Sequence, residues 1–445
     1  MKKVVGLILT VALLVACSGC SLNFFSVESL LSPPMQTGKN GEIQAAFNAL
    51  MKNEKIQLKT PLAGAYQTAF VLYDVNCDDN DEAFIFYTDS SVEASVRMAL
   101  LQCIDNEWVI CDDIKGAGNG VYDIDFSDLN NDGISEVFVS WSLFESKVKR
   151  ITGVYTTKVS DDGKVSLVSL GSEYCNAKNF VDFNGDDKND LVIVYHDDTG
   201  EMQKTFLRLF SLSQTNELVK YGEIPLDSAI TTVSSIQSDV AFDGGEKFTR
   251  LFIDCQKSEK TIFTEMVYWD WNHSIPVRAY TEPSLTTARN YRARCMDIDA
   301  DGLLEIPVVS RLYGDEKQFS VTYYDDIYTF TLLEWTNAKG DVSTEKIMTL
   351  NNPLDMYLMV FPWGNSVSVK YDSLRDSLVY YKWDEKTQKY GDELFSVAYR
   401  EPGQEEEKEI LYNDDSSIYY FEITQQGESF GITGDLLKRS FIKNK

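Results

Sequence analysis

Four stretches of the chain carry oxygen-bearing side chains at alternate positions. They run from Asp74 to Glu82, Asp128 to Glu136, Asp182 to Asp190 and Asp297 to Glu305, and they align without gaps. Positions 1, 3 and 5 are Asp or Asn in every copy, and position 9 is always an acid. Position 6 is Gly133 or Gly302 in two copies and Asp79 or Asp187 in the others. Alternate side chains in a tight turn converge on one point, a glycine permits the bend, and a closing acid completes an all-oxygen shell suited to Ca2+. An EF-hand places its closing Glu at position 12 between helices; here position 12 is Val139 or Val308 and strand-like runs flank the loops, so these are not EF-hands. Asp tolerates the left-handed backbone better than most residues, so the turns at Asp79 and Asp187 survive.

Charge supports a cation. The four loops hold 16 acids and one lysine, Lys188, which accounts for −15 of the net −28. Four Ca2+ ions would return +8. In such a turn the ion pins a hairpin and offers no open position, which is a structural role. The acidic excess also argues against nucleic acid, whose phosphates need a basic footprint.

Other chemistry is sparse. His196 and His273 are the only histidines, and neither sits in a catalytic neighbour pattern, so no catalytic residue is assigned. Lys115 to Gly120 is glycine-rich, but no helix start follows it, and it reads as a connection between strands. The pairs Asp197-Asp198 and Asp325-Asp326 read as solvated turns. Cys77, Cys103, Cys111, Cys175, Cys255 and Cys295 read mainly as buried thiols. Trp269, Trp271, Trp335, Trp363 and Trp383 recur beside similar hairpins and read as packing between units, with Trp363 in a loop.

At 445 residues the chain exceeds one compact core. The first three loops start 54 residues apart, and the fourth starts 115 after the third. A degenerate copy, Val240-Ala-Phe-Asp243-Gly-Gly running into Leu251-Phe-Ile-Asp254, fills that gap. Each loop joins two runs rich in Val, Ile, Phe and Tyr, too short for helices. A second hairpin recurs at Leu100–Asp105, Val154–Asp161, Leu207–Gln214, Val267–Asp270, Leu332–Thr336, Val379–Asp384 and Ile418–Thr424. Four strands per period of about fifty residues predict an all-β fold, a β-propeller of seven four-stranded blades. The run Ile56 to Pro61 is expected to pair with the last blade and close the ring.

The loops resemble the calcium loops of FG-GAP and VCBS repeats, found in integrin α-subunit propellers and many bacterial surface proteins. The resemblance covers most of the chain beyond residue 60. It implies up to four structural Ca2+ ions, held by Asp74, Asn76, Asp78 and Glu82; by Asp128, Asn130, Asp132 and Glu136; by Asp182, Asn184, Asp186 and Asp190; and by Asp297, Asp299, Asp301 and Glu305. The residue at position 7 would add its carbonyl. The Asp243 copy has lost its alternation and is expected to bind nothing.

The N-terminus reads as an export signal. Lys2 and Lys3 precede a 13-residue uncharged run, Val4 to Ala16, too short for a membrane span. Leu14, Val15 and Ala16 ahead of Cys17 resemble the lipobox of bacterial lipoproteins, with Cys17 as the lipidated residue and Cys20 as the alternative. The chain is also similar to lipoproteins of Firmicutes-type bacteria that share a tether like Ser26–Pro34. The expected organisation is a signal peptide (1–16), a tether (17–38), a short helix (39–53) and the propeller (54–445). Such a chain would be exported and lipid-anchored to the outer face of the bacterial cell membrane. The likeness to those lipoproteins supplies no activity; the function expected of such a chain is a surface binding or adhesion module for a protein or glycan. A polysaccharide lyase or glycosidase on a calcium-bearing propeller is the alternative, and a scaffold with no small ligand is a third reading.

Overall fold

The computed structural model describes residues 38–51, 56–89, 93–143, 149–197, 204–213, 215–243, 246–259, 261–289, 294–297, 302–307, 309–310, 330–333, 348–351, 356–359, 366–403 and 407–443. Cys17, Cys20, the leader, the tether up to residue 37, and Asp299 and Asp301 lie outside them, as do Trp335 and Trp363.

Helix α1 (Lys39–Met51) precedes a succession of antiparallel sheets. The first sheet contains β1 (Ile56–Lys59), β2 (Phe70–Tyr73), β3 (Glu82–Asp89), β4 (Glu93–Ile104) and β5 (Glu107–Lys115). The second contains β6 (Gly120–Ser127), β7 (Glu136–Ser142), β8 (Arg150–Val159) and β9 (Val165–Cys175). The third contains β10 (Ala177–Val181), β11 (Asp190–Asp197), β12 (Lys204–Leu212) and β13 (Leu218–Pro225). The fourth contains β14 (Thr232–Asp243), β15 (Glu246–Ser258), β16 (Thr261–Asp270) and β17 (Ile275–Arg278), followed by the short helix α2 (Pro283–Thr286). The fifth is built on β18 (Val309–Ser310), β19 (Phe330–Leu333), β20 (Met348–Asn351) and β21 (Met356–Met359). The sixth contains β22 (Val367–Asp372), β23 (Ser377–Asp384), β24 (Lys389–Arg400), β25 (Glu409–Asp414) and β26 (Ser417–Ile423). Helices α3 (Gln425–Phe430) and α4 (Gly434–Ser440) then lead to β27 (Phe441–Lys443), which returns to the edge of the fifth sheet beside β21.

The architecture is the expected all-β propeller arrangement, and its interfaces explain the apolar runs. The second strand of each early sheet is buried on both faces, because a sheet lies on either side of it or a helix takes that place. In β3, Phe84 and Phe86 face the second sheet, while Ala83, Ile85 and Tyr87 face Ile43 and Phe47 of α1. In β7, Val137, Val139 and Trp141 face the first sheet, and Phe138 faces the third. In β11, Leu191 and Ile193 face the second sheet, and Val192 and Val194 face the fourth. Burial of each such large side chain contributes about 1.5–3 kcal/mol. Trp269 packs edge-on against Phe183 and Tyr221 of the third sheet, so it joins two units as its recurrence suggested.

Two expectations change. The described residues form six sheets. The hairpins read as a sixth and a seventh unit lie in one sheet, because β26 pairs with β24 on one side and β25 on the other. A lone two-stranded hairpin is marginal in water, so β25 and β26 complete an existing sheet. The run from Ile56 does not close a ring onto the last sheet. β1 pairs with the second half of β3 (Ile56 with Asp89, Lys59 with Phe86), on the strand whose first half pairs with β2.

Candidate cation sites in the interstrand loops

The first three acidic loops connect β2 to β3, β6 to β7 and β10 to β11, the fourth lies within an isolated bridge, and the pairing fixes the ends of each. The residue before position 1 pairs with the acid at position 9: Tyr73 with Glu82, Ser127 with Glu136, Val181 with Asp190, and Met296 with Glu305. The first three loops then share one hydrogen-bond plan. The position-1 carboxylate accepts from the main-chain N–H of position 6, at 2.9 Å in Asp74 and Asp128 and 3.1 Å in Asp182. The position-3 amide oxygen accepts from the N–H of position 5, at 3.0 Å in Asn76 and 2.9 Å in Asn130 and Asn184. The position-5 carboxylates of Asp78, Asp132 and Asp186 accept from the N–H of position 7.

This winding needs left-handed backbone at positions 4 and 6. Cys77, Asn131 and Gly185 occupy position 4 with φ of 59°, 59° and 71°, and Asp79, Gly133 and Asp187 occupy position 6 with φ of 67°, 87° and 64°. The two aspartates therefore adopt the conformation that glycine supplies elsewhere. In the fourth loop Gly302 has φ of 91° and donates to Asp297 Oδ2 at 2.9 Å, repeating the same bond. In the fourth sheet, at the degenerate copy, residue 243 on β14 pairs with residue 246 on β15.

The closing acids are the least expected feature. Glu82 and Glu136 are fully buried, and Asp190 and Glu305 nearly so. Each of the first three turns back to accept the N–H of position 2, from Val75, Leu129 and Phe183, whose side chains enter the core. Desolvation, with the neighbouring loop carboxylates, pushes Glu82 and Glu136 up to about 7 and Asp190 to about 6. Half-buried Tyr221 stands beside Asp190, and its hydroxyl is pushed up by burial and that charge. Glu136 Oε1 is buried and meets no hydrogen-bond donor. In the first loop, the corresponding Glu82 Oε1 receives Asn76 Nδ2 at 3.3 Å, and the same nitrogen donates to Asp78 Oδ2 at 3.1 Å. In the second loop, Asn130 Nδ2 reaches Asp132 Oδ2 and Asn216 Oδ1, so Glu136 Oε1 lacks that donor.

The donor set is hard oxygen throughout, as Ca2+ prefers. The orphaned Glu136 oxygen fits a cation. Among the described residues, no three His, Cys, Asp or Glu side chains already stand at metal-cluster spacing.

Neighbouring loops also touch, which the sequence did not signal. Cys77 Sγ donates to Gly133 O at 2.8 Å, and Asn131 Nδ2 donates to Asp187 O. A second buried charge group also escaped sequence reasoning. Lys178 on β10 binds Asp125 at 2.7 Å and Asp123 on β6, and it donates to Ser140. The alternation of Asp123 and Asp125 on one strand face was the available signal. The histidines stay apart from any nucleophile pattern: His196 bonds Thr205 and His273 bonds Asp270. Cys175, Cys255 and Cys295 are buried as expected, whereas Cys77 and Cys103 are exposed and Cys111 is half-buried. Asp198, Asp325 and Asp326 lie outside the described residues.

No family model matches the chain, and no curated protein matches it. Among solved structures, it is similar to the periplasmic gluconolactonase of Pseudomonas aeruginosa, at 13% identity over 76% of this chain and 88% of that one, with a TM-score of 0.29. It is also similar to the S. cerevisiae core factor, at 10% identity over 85% of this chain and 58% of that one, with a TM-score of 0.26. At these scores the propeller arrangement rests on the sheets themselves.

Proposed function

We propose that the chain is a calcium-stabilised propeller of the FG-GAP/VCBS kind that works as a binding or adhesion module for a protein or glycan. It is held at the outer face of a bacterial membrane by lipid on Cys17, or on Cys20. The observation that supports this best is Glu136. A buried carboxylate with one oxygen unpartnered closes a loop whose position-1, position-3 and position-5 side chains follow the same plan as two other loops. A cation would satisfy that oxygen and offset the repulsion among the loop carboxylates. When bound, Ca2+ supplies charge compensation and stiffness, not reactivity.

The test uses the full chain in mild detergent. Isothermal titration with Ca2+ is expected to show up to four sites, and Glu136→Gln to remove one. The chain is then immobilised and exposed to cell-wall polysaccharide and secreted protein of the producing organism, first with Ca2+ and then with chelator. Retention that chelation abolishes supports the binding module. Folded chain that retains nothing overturns it. Release of cleaved polysaccharide would instead support the lyase or glycosidase alternative.

A further inference from the structure

The contacts between loops follow a rule. The position-4 side chain of one loop donates to the position-6 carbonyl of the next: Cys77 to Gly133, and Asn131 to Asp187. The residue before position 1 meets position 8 of the next loop: Tyr73 Oη lies 2.9 Å from Ser135 Oγ, and Asn189 Nδ2 donates to Ser127 Oγ at 3.4 Å. The same two relations therefore recur at both junctions. The series ends at Gly185, which has no side chain to donate; Trp271 of the fourth sheet fills the space a Cβ would take.

These contacts bear on the ligand positions directly. The position-6 peptide is held by the position-1 carboxylate through its N–H, while its carbonyl accepts from the neighbouring loop. Position 4 lies between the position-3 and position-5 ligands of its own loop and must stay left-handed for them to converge. Fixing positions 1 and 5 of one loop thus fixes the acceptor that orders positions 3 and 5 of the loop before it. The second loop takes part in both junctions, and it contains the buried, unpartnered Glu136 Oε1.

We propose that the first three loops bind Ca2+ as a linked set with the second loop as hub, and that Asn131 and Cys77 are the positioning residues that carry the coupling. This rests on the calcium reading above. Linkage makes the coupling reciprocal: occupancy of any one loop raises the affinity of the loop it touches.

The experiment measures Ca2+ binding to the full chain by isothermal titration and equilibrium dialysis. Three variants are compared with the unaltered chain. Asp132→Ala disables the hub. Asn131→Gly and Cys77→Gly keep the left-handed backbone but remove one inter-loop donor each. Asp132→Ala is expected to lower the stoichiometry by one and also to weaken binding at the first and third loops by at least about fivefold. Asn131→Gly is expected to keep the stoichiometry and weaken the second and third loops by a similar factor, and Cys77→Gly to do so for the first and second. Circular dichroism in chelator, unchanged between Asn131→Gly and the unaltered chain, shows that the fold is not the cause. Unaltered affinities at the remaining loops in all three variants overturn the coupling and leave the calcium reading standing. No bound Ca2+ in the unaltered chain removes both.

Discussion

Glu136 accepts the main-chain N–H of Leu129 at 2.9 Å with one carboxylate oxygen, while the other is buried without a donor. Leu129 itself is buried between the second and third sheets, so the acid anchors the loop to the core. Glu82 and Asp190 make the same bond to Val75 and Phe183.

This arrangement predicts the pH response of the metal-free chain. Glu82 and Glu136 are held at about 7 in the fold, against an ordinary value of 4.5. A carboxyl with a raised folded pKa binds its proton more tightly when folded. Its contribution is fully present below the unfolded value and is lost as pH rises through the folded one. In chelator, the melting temperature should therefore fall between about pH 4.5 and 7, and Glu136→Gln should flatten that slope. On the proposed calcium reading the deprotonated carboxylate would be the ligand, so stabilisation by added Ca2+ should grow over the same range. A chelator profile that rises with pH and is indifferent to Glu136→Gln would contradict this account.

Lys178 holds Asp123 and Asp125 at the junction of the second and third sheets, with only 5% of its side chain exposed. Lys178→Met leaves two carboxylates facing each other without a counter-charge, and should cost about 3–5 kcal/mol. Urea unfolding measures the loss. Adding Asp123→Asn and Asp125→Asn to Lys178→Met should recover most of it, because the unpaired charge then disappears.

Gly185 has φ of +71°, and a Cβ there would lie 2.1 Å from the Trp271 ring. Gly185→Ala should cost about 1–2 kcal/mol from the backbone conformation alone. It should also displace Trp271 into solvent, shifting tryptophan emission to the red. In a Trp271→Ala background the clash is gone, so the same substitution should cost less.

Phe441 on β27 is buried in the same cluster as Leu358 on β21, and its backbone pairs with that residue. Phe441→Ala should lower stability by about 3 kcal/mol. Hydrogen exchange at Met356–Met359 should accelerate more than exchange in the second sheet, since β27 covers only that edge. Equal acceleration in both sheets would show that the strand acts globally.

The turn shape of the loops was legible because their pattern of oxygen-bearing side chains is local: positions 1, 3, 5 and 9 follow one another within nine residues and repeat. The buried second strands were legible as runs dominated by apolar residues, as at Val137 to Trp141. The merging of the last two hairpins was not, since nothing in Ile418–Thr424 states which strand it will meet. Pairing with β24 is a choice among distant partners. Cys77 and Asn131 escaped for the same reason. Position 4 carries no fixed residue type, and its partner is a main-chain carbonyl more than fifty residues away, which leaves no mark in the side-chain pattern.

The alternation along β7, with Val137, Val139 and Trp141 on one interface and Phe138 on the other, sets what kinds of length change this architecture can absorb. One residue inserted inside the strand would exchange the two sets and spoil both junctions at once. A whole 54-residue period inserted at a connection keeps every strand's parity and supplies a new pair of matching faces. Length changes by complete units are thus the ones the interfaces tolerate, and the equal spacing of the first three loops keeps to that constraint.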